Sequence, residues 1–373
     1  MFLKFDQTDS SYADGTFFIS GAEELPVTFY WADESGPLSD YTPIAEILPD
    51  RNGCGTFIYT GHRGIPLEAR FLMAVNEKES VAVPVAPQPP LPAEEPLRVS
   101  VMSDLHLTRK PWRLEKAFDM SKDASLILMQ GDLTNDGLPH QFAQLTEIIS
   151  QRLSDKTVLG VTGNHDYPRF PLPLVYEDIC TYPGFQDWLL NRQNFPFEED
   201  KSGAYAVTLG EVEVIGLNAV THYRKFTFPE QAQIKWLEAH LENSPAKLHM
   251  ILSHAPLREH NPHGLITYLN KNKDIQRICN AHENILFLSG HTHISMNSPC
   301  NPADFDGKNL YINEGSLCTT ELLTEETRVP ACFTDGNILK LQIWPSQILV
   351  TAVSLISGKK IARGYYRFDF PRQ

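Results

Sequence analysis

Along the first eighty residues, apolar side chains alternate with polar ones in short runs. Thr16–Ser20, Val27–Trp31, Thr56–Thr60, Ala69–Val75 and Ser80–Val83 are rich in Val, Ile, Phe, Tyr and Thr, and clusters of Gly, Pro, Asp and Asn separate them. Alternation with period two turns one face of each run inward, so the pattern predicts a small antiparallel β-sandwich over residues 1–83. Residues 84–96 then read PVAPQPPLPAEEP, six prolines in thirteen positions. Proline fixes φ and lacks a backbone donor, which predicts an extended, stiff linker.

From residue 97 the pattern changes to apolar runs separated by helical periodicity. Strands are expected at Leu97–Met102, Ser125–Met129, Thr157–Val161, Val212–Leu217, Leu248–Leu252 and Asn284–Leu288, and helices at Trp112–Lys122, Pro139–Leu153 and Pro229–Leu241. In the second helix Phe142, Leu145, Ile149 and Leu153 fall on one stripe; in the third, a proline stands at the start and Ile234, Leu237 and Leu241 share a face. Beyond Gly336, Ile338–Trp344, Ile348–Ile356 and Tyr365–Phe370 return to β character. The alternation argues an α/β core with helices covering its sheets, in one domain over residues 97–373.

Composition narrows the function classes. The 373 residues suit two domains, and 42% apolar against 21% charged side chains allow sizeable cores. Lys plus Arg number 32 and Asp plus Glu 46, a net charge of −14. So acidic a chain is a poor candidate for gripping a nucleic-acid backbone or lying on an anionic membrane. No apolar stretch is long enough to span a bilayer, and polar residues interrupt the N-terminus before any secretory signal, so a cytoplasmic protein is expected. The six cysteines (54, 180, 279, 300, 318 and 332) are scattered without a C-x-x-C pair and read as idle thiols.

The chemistry gathers where strands end. Leu97–Met102 runs into Ser103-Asp104-Leu105-His106, Ser125–Met129 into Gln130-Gly131-Asp132, and Thr157–Val161 into Thr162-Gly163-Asn164-His165-Asp166. Leu248–Leu252 runs into Ser253-His254, and Asn284–Leu288 into Ser289-Gly290-His291-Thr292-His293. Sites in α/β sheets lie outside the carboxyl ends of the strands, so all five clusters should converge. Each motif alone is weak; D-x-H, G-D, G-N-H and H-x-H in this order, each at a strand end, are specific together. Glycines 131, 163 and 290 precede ligands where the backbone is expected to turn sharply off the strand.

In these motifs the chain resembles the calcineurin-like metallophosphoesterase superfamily over about residues 97 to 320. The resemblance implies a double β-sandwich flanked by helices, with two metal ions between the strand ends. One metal would take Asp104, His106, Asp132 and His293; the other would take Asp132, Asn164, His254 and His291, with Asp132 bridging. Physics agrees: two close cations repel, so a shared carboxylate is needed between them. A mixed imidazole and oxygen shell suits transition metals such as Mn, Fe, Zn or Co better than Mg or Ca. The mechanism implied is in-line attack by a metal-bridging hydroxide on phosphorus. The histidine matching His165 faces the substrate in the family and helps protonate the leaving oxygen.

Departures narrow the subfamily. After Asp132 come Leu133-Thr134-Asn135-Asp136. The absence of a tyrosine argues against a purple acid phosphatase, and the absence of D-R-G against a Ser/Thr protein phosphatase. Cyclic-nucleotide phosphodiesterases share G-D-L-T at this point, but Tyr167-Pro168 intervene before Arg169, so a nucleotide diesterase stays open as the alternative. Eight aromatics between Tyr167 and Phe197 (Tyr167, Phe170, Tyr176, Tyr182, Phe185, Trp188, Phe195 and Phe197) are expected to form a wall over the metals, stacking a base or packing their own small core; packing is preferred. Arg109, Arg169 and Arg258 stand near ligand motifs as candidate phosphate clamps, though solvated arginines are commoner. His260 and His263 follow His254 on a loop and are read as exposed; His240 is read as structural. The substrate expected is a small phosphorylated molecule. The N-terminal sandwich, of immunoglobulin or fibronectin type, is expected to dock a partner or mediate oligomerisation, and a scaffold using it for docking is the reading from another class.

Overall fold

The computed structural model describes residues 1–8, 13–59, 63–108, 111–167, 182–218, 231–260, 273–298, 302–318, 320–323, 328–332 and 335–369. The N-terminal region carries β1 (Phe2–Gln7), β2 (Gly15–Ser20), β3 (Val27–Asp33), β4 (Gly36–Pro37), β5 (Ala45–Ile47), β6 (Gly55–Tyr59), β7 (Phe71–Val75) and β8 (Ser80–Pro84). They form two antiparallel sheets, β1-β2-β6 and β4-β3-β7-β8 with β5 added beside β3. Alternation sets their inner faces: Phe17 and Ile19 from one sheet meet Val27, Phe29, Trp31 and Leu72 from the other. Between Pro84 and Leu97 the chain carries no helix or strand.

The remainder is a mixed α/β fold of two stacked sheets with helices outside. Its elements are β9 (Leu97–Met102), α1 (Trp112–Met120), β10 (Leu126–Gln130), α2 (Pro139–Arg152), β11 (Thr157–Val161), α3 (Tyr182–Asn191), β12 (Phe197–Glu199), β13 (Tyr205–Leu209), β14 (Val212–Leu217), α4 (Gln231–Asn243), β15 (Leu248–Ser253), α5 (Lys273–Ala281), β16 (Ile285–Ser289), β17 (Ala303–Phe305), β18 (Leu310–Asn313), β19 (Thr320–Leu323), β20 (Arg328–Cys332), β21 (Asn337–Trp344), β22 (Gln347–Ser354) and β23 (Lys360–Asp369). One sheet orders β11-β10-β9-β21-β22-β23, the other β12-β13-β14-β15-β16-β18-β17. Within them β9, β10 and β11 are mutually parallel, as are β14, β15, β16 and β18.

Strands buried on both faces read as continuous apolar runs because alternate residues serve different cores. Leu126 and Leu128 point between the sheets, where Met250, Leu252, Leu286 and Leu288 meet them. Ile127 and Met129 point outward under Phe118 of α1 and Phe142 and Leu145 of α2. On the other outer face, Ile251 and Phe287 pack against Leu237 of α4 and Ile278 of α5.

The sandwich does not keep its core to itself. Trp344, Leu349, Ala362 and Tyr365, from β21, β22 and β23, complete the cluster around Phe29, Trp31 and Tyr59. Tyr59 donates its hydroxyl to the Ala362 carbonyl at 3.1 Å. The proline-rich segment is fastened across the end of the stacked sheets, where Trp344 Nε1 donates to the Glu94 carbonyl and Arg367 donates to the carbonyls of Pro89 and Pro90.

Candidate metal centre

The loops after β9, β10, β11, β15 and β16 meet at the carboxyl ends of both sheets. They bring Asp104, His106 and His293 together, and likewise Asp132, His254 and His291, with the nitrogen and oxygen atoms of each trio within 4.8 Å of one another. His106, Asp132 and His165 form a third such trio between them. Ring nitrogens face each other: His106 Nε2 stands 3.3 Å from His293 Nε2, and His254 Nε2 stands 3.1 Å from His291 Nδ1. Two basic nitrogens converge this way when one cation is to lie between them.

Backbone geometry sets the aim. Among the described residues six non-glycine positions have positive φ, and five of them are Asp104, His106, Asp132, His291 and His293, at 50°, 43°, 48°, 70° and 56°. A side chain disfavours this region, at a cost of about 1–3 kcal/mol each, and strain of this kind persists only where the surroundings hold it. They do so here with hydrogen bonds. Asp132 Oδ1 accepts from His165 N at 2.7 Å, and Asp104 Oδ2 from His291 N at 2.9 Å and Ser103 Oγ at 2.5 Å. Asp166 accepts four, from the backbone N–H groups of Leu133, Thr134 and Gly163 and from the Thr134 hydroxyl, and so ties the β10 loop to the β11 loop. This keystone role has no signature in the residue string beyond a carboxylate in a tight turn.

The glycines act in two ways. Gly131 needs its positive φ of 87°. Gly163 has φ −108° and ψ −173°, ordinary extended backbone. It is glycine because a Cβ would lie 2.2 Å from Asp132 Oδ1 and 2.3 Å from Asp132 N; a Cβ on Gly290 would meet Ser103 Oγ at 1.7 Å. At these two positions the expected sharp turn gives way to close approach as the reason.

Second partners fix the histidine tautomers. The Gln130 carbonyl can only accept, so His254 Nδ1–H donates to it at 2.7 Å and leaves Nε2 for the site. By the same logic His165 Nδ1–H donates to the Asn135 carbonyl at 2.8 Å, and its Nε2 is left for the site. Burial would raise the Asp104 and Asp132 carboxyls, but the histidines facing them win and hold both well below the usual carboxylate range. Burial would lower His254, yet Asp132 and Asp104 push it up to about 9. His106 and His291, where burial dominates, fall to about 4 and about 3. His106 and His291, neutral beside ionised carboxylates, are in the protonation state a cation requires, whereas His254 would give up its extra proton on binding one. Asp104 Oδ1 and Asn164 Oδ1 are buried and accept no hydrogen bond among the described residues, as donor atoms meant for a metal would be. The residues therefore fit a dinuclear metal site, without fixing which metal.

Other expectations fare differently. Tyr182 and Phe185 pack on Phe142 under α2, with Trp188 alongside, while Phe195 and Phe197 are exposed, so these five form no wall over the site; Phe170 and Tyr176 lie outside the described residues. The helical apolar stripe, rather than the nearness in sequence to His165, decided where those rings went. Arg109, Arg169 and His263 also lie outside the described residues, and Arg258 opens a short 3-10 turn. His260 is not the exposed loop histidine expected: it is stacked on Tyr311 at 3.4 Å and bonded to Asp304 and Gln276, which leaves little of its side chain open. His240 pairs with Glu213 at 3.0 Å, a structural role. Cys54, Cys279 and Cys318 are free thiols. A cavity of about 690 Å³ opens at the opposite ends of these strands, between the proline-rich segment and Trp344, and holds none of the metal-ligand candidates. No helix among the described residues is long and apolar enough to cross a membrane.

Comparison with known proteins agrees with this geometry. The family described as calcineurin-like phosphoesterase matches residues 97–295, more than half of the chain. A search of curated proteins returns no significant match. Among solved structures, a purple acid phosphatase from yellow lupin seeds is similar over 100% of this chain and 74% of its own, at 13% identity and a TM-score of 0.52. PhoD is similar over 99% of this chain and 92% of its own, at 10% identity and a TM-score of 0.47. At such identities the lupin likeness speaks to the fold alone.

Proposed function

The chain belongs to the calcineurin-like phosphoesterase family, and from that premise we propose that it is a two-metal hydrolase of small phosphate esters. One observation carries the reading: the two Asp–His trios, bridged by the third through His106 and Asp132, are aimed by strained backbone into one focus. On this reading Asp104, His106, Asp132 and His293 hold one ion, and Asp132, Asn164, His254 and His291 hold the second, both of the Mn, Fe or Zn class. Two bound cations would supply water of lowered pKa for in-line attack on phosphorus and offset charge growing on the phosphoryl oxygens.

The remaining work falls to the chain. Asp132, between the two trios, keeps the sites close and neutralises part of their charge. Asp166 and the His165 N–H hold Asp132 in place. His165, with Nδ1–H spent on Asn135, presents Nε2, which in the doubly protonated ring carries the proton given to the departing oxygen and leaves a neutral imidazole behind. We further propose the division into a sandwich over 1–83, a connector over 84–96 and a catalytic domain over 97–373.

The test is metal content by plasma mass spectrometry, with hydrolysis of p-nitrophenyl phosphate and bis(p-nitrophenyl) phosphate assayed on the same sample with added Mn. About two transition metals per chain and turnover of either ester are expected, and the preferred ester separates mono- from diesterase. No metal and no activity after Mn is added would refute the proposal.

A further inference from the structure

Arg63 belongs to the sandwich, yet its guanidinium ends in the metal-binding half of the molecule. The side chain is 1% exposed. One terminal nitrogen donates to the Arg363 carbonyl and the other to the Ser298 carbonyl, each at 2.8 Å. The rings of Tyr59 and Tyr366 flank the charge, with centroids 5.4 and 5.9 Å from its central carbon. Arg363, on β23, reaches the other way: its Nε donates to the Ile44 carbonyl of the sandwich at 2.7 Å and its Nη1 to the Asn297 carbonyl at 3.2 Å. Two arginines, one from each half, thus grip two consecutive carbonyls.

Those carbonyls close the loop that carries His291 and His293. Its first half is held from within the catalytic sheets, by Asp104 on His291 N and by Asn313 on the Thr292 hydroxyl. Its second half turns through Ser295–Ser298, with Ser298 N donating to the Ser295 carbonyl at 2.8 Å and Ile294 and Met296 fully buried. Both histidines carry positive φ, so the loop holds strain that an unanchored end would release. Buried guanidinium groups are costly unless their N–H groups are satisfied, and here backbone carbonyls of this loop help to satisfy them.

We infer that Arg63, supported by Arg363, is a positioning residue: through the Ser298 and Asn297 carbonyls the sandwich braces the H-x-H loop so that His291 and His293 converge on the metals. The inference rests on the reading of those histidines as ligands. It makes the sandwich part of the active-site scaffold, in place of a detachable docking module.

The test compares Arg63→Lys with Thr42→Val. Lysine keeps the charge but, as a point donor, cannot bridge two carbonyls as the planar fork does. Thr42→Val cuts a hydrogen bond across the same interface, the one Thr42 Oγ1 accepts from Ala362 N at 3.1 Å, without touching Arg63 or the loop. Mn affinity by calorimetry, kcat and KM on p-nitrophenyl phosphate, and thermal melting are measured for both and for the native protein. Arg63→Lys should bind Mn about tenfold more weakly and lose kcat by about tenfold or more at little change in KM. Thr42→Val should melt lower and keep native Mn affinity and kcat. Should Arg63→Lys not fold, Arg363→Lys, which gives up the Asn297 contact, is measured in its place with the same expectation. Native Mn affinity and kcat in the lysine variant would overturn the inference and leave the metal reading intact. Failure of the native protein to bind metal would instead overturn the metal reading beneath it.

Discussion

Replacing Gly163 by alanine adds a methyl group where two ligand loops already touch. The backbone there is ordinary, with φ −108° and ψ −173°, so alanine meets no conformational penalty and the effect is purely spatial. The new Cβ would lie 2.2 Å from Asp132 Oδ1 and 2.3 Å from Asp132 N. Comfortable contact begins at about 3.5 Å, so one loop must give by roughly 1.3 Å. Rotation of a side chain cannot relieve this, because one of the atoms is backbone and the other accepts a hydrogen bond from His165 N. Overpacking of this sort costs about 1–3 kcal/mol in stability. Moving a reacting group by about 1 Å costs on the order of 100-fold in rate. Gly163→Ala should therefore turn over p-nitrophenyl phosphate about 100-fold more slowly and bind Mn at least about tenfold more weakly. Gly160→Ala is the control, since the three atoms nearest its Cβ would belong to Met129, at 3.2 to 3.4 Å. Steady-state kinetics and Mn calorimetry on the two variants decide the matter. Native turnover and affinity in Gly163→Ala would refute the close approach of the two loops.

Other expectations follow from the same geometry. His165→Ala should keep its metals and lose about 100-fold or more in kcat, whereas Asp132→Ala should lose both; an emptied site in His165→Ala, read by mass spectrometry, would reverse the assignment of roles. Asp166→Asn puts an NH2 group against at least one backbone N–H donor, that of Thr134 in the less crowded orientation, and should cost about 1–3 kcal/mol, visible in urea unfolding; an unchanged midpoint would deny the keystone role. Glu213 would be raised by burial, but hydrogen bonds from His240 and His249 hold it down at about 2, and the bond to Glu213 in turn raises His240. A depressed carboxyl gives stability that is present above its unfolded value of 4.5 and lost as pH falls toward 2; a raised histidine gives stability that is present below 6.5 and lost as pH rises through its folded value. The contribution of the pair should thus peak between about pH 4.5 and 6.5, and Glu213→Gln should flatten that part of the melting-temperature profile.

Much of the architecture was legible because apolar runs have few ways to lie down. Leu97–Met102, Thr157–Val161 and Val212–Leu217 were predicted to the residue, and the three predicted helices start within two positions of α1, α2 and α4. The runs missed include β1, where Phe2 is exposed and charged residues alternate with Leu3 and Phe5, and α5, whose apolar face is only Ile275, Ile278 and Cys279, together with α3 and the short strands β13 and β18. The metal trios were legible for a different reason, since ligand residue types collected at strand ends. Their support was not. Positive φ at histidine and aspartate, the acceptor role of the Asn135 carbonyl and the span from Arg63 to Ser298 are tertiary facts that no local pattern carries.

The shared core of the sandwich has a consequence for how the chain is made. Tyr59 finds its hydroxyl partner 303 residues further on, and Trp344, Leu349, Ala362 and Tyr365 close the apolar cluster around Phe29 and Trp31. At a synthesis rate of about 5–20 residues per second, those partners emerge roughly 15–60 s after Tyr59. The first domain to leave the ribosome cannot be the first to finish folding. During that interval an aromatic-rich half-core with unpaired strand edges stands open, which makes nascent-chain aggregation, and the chaperones that prevent it, a determinant of how much active protein a cell obtains.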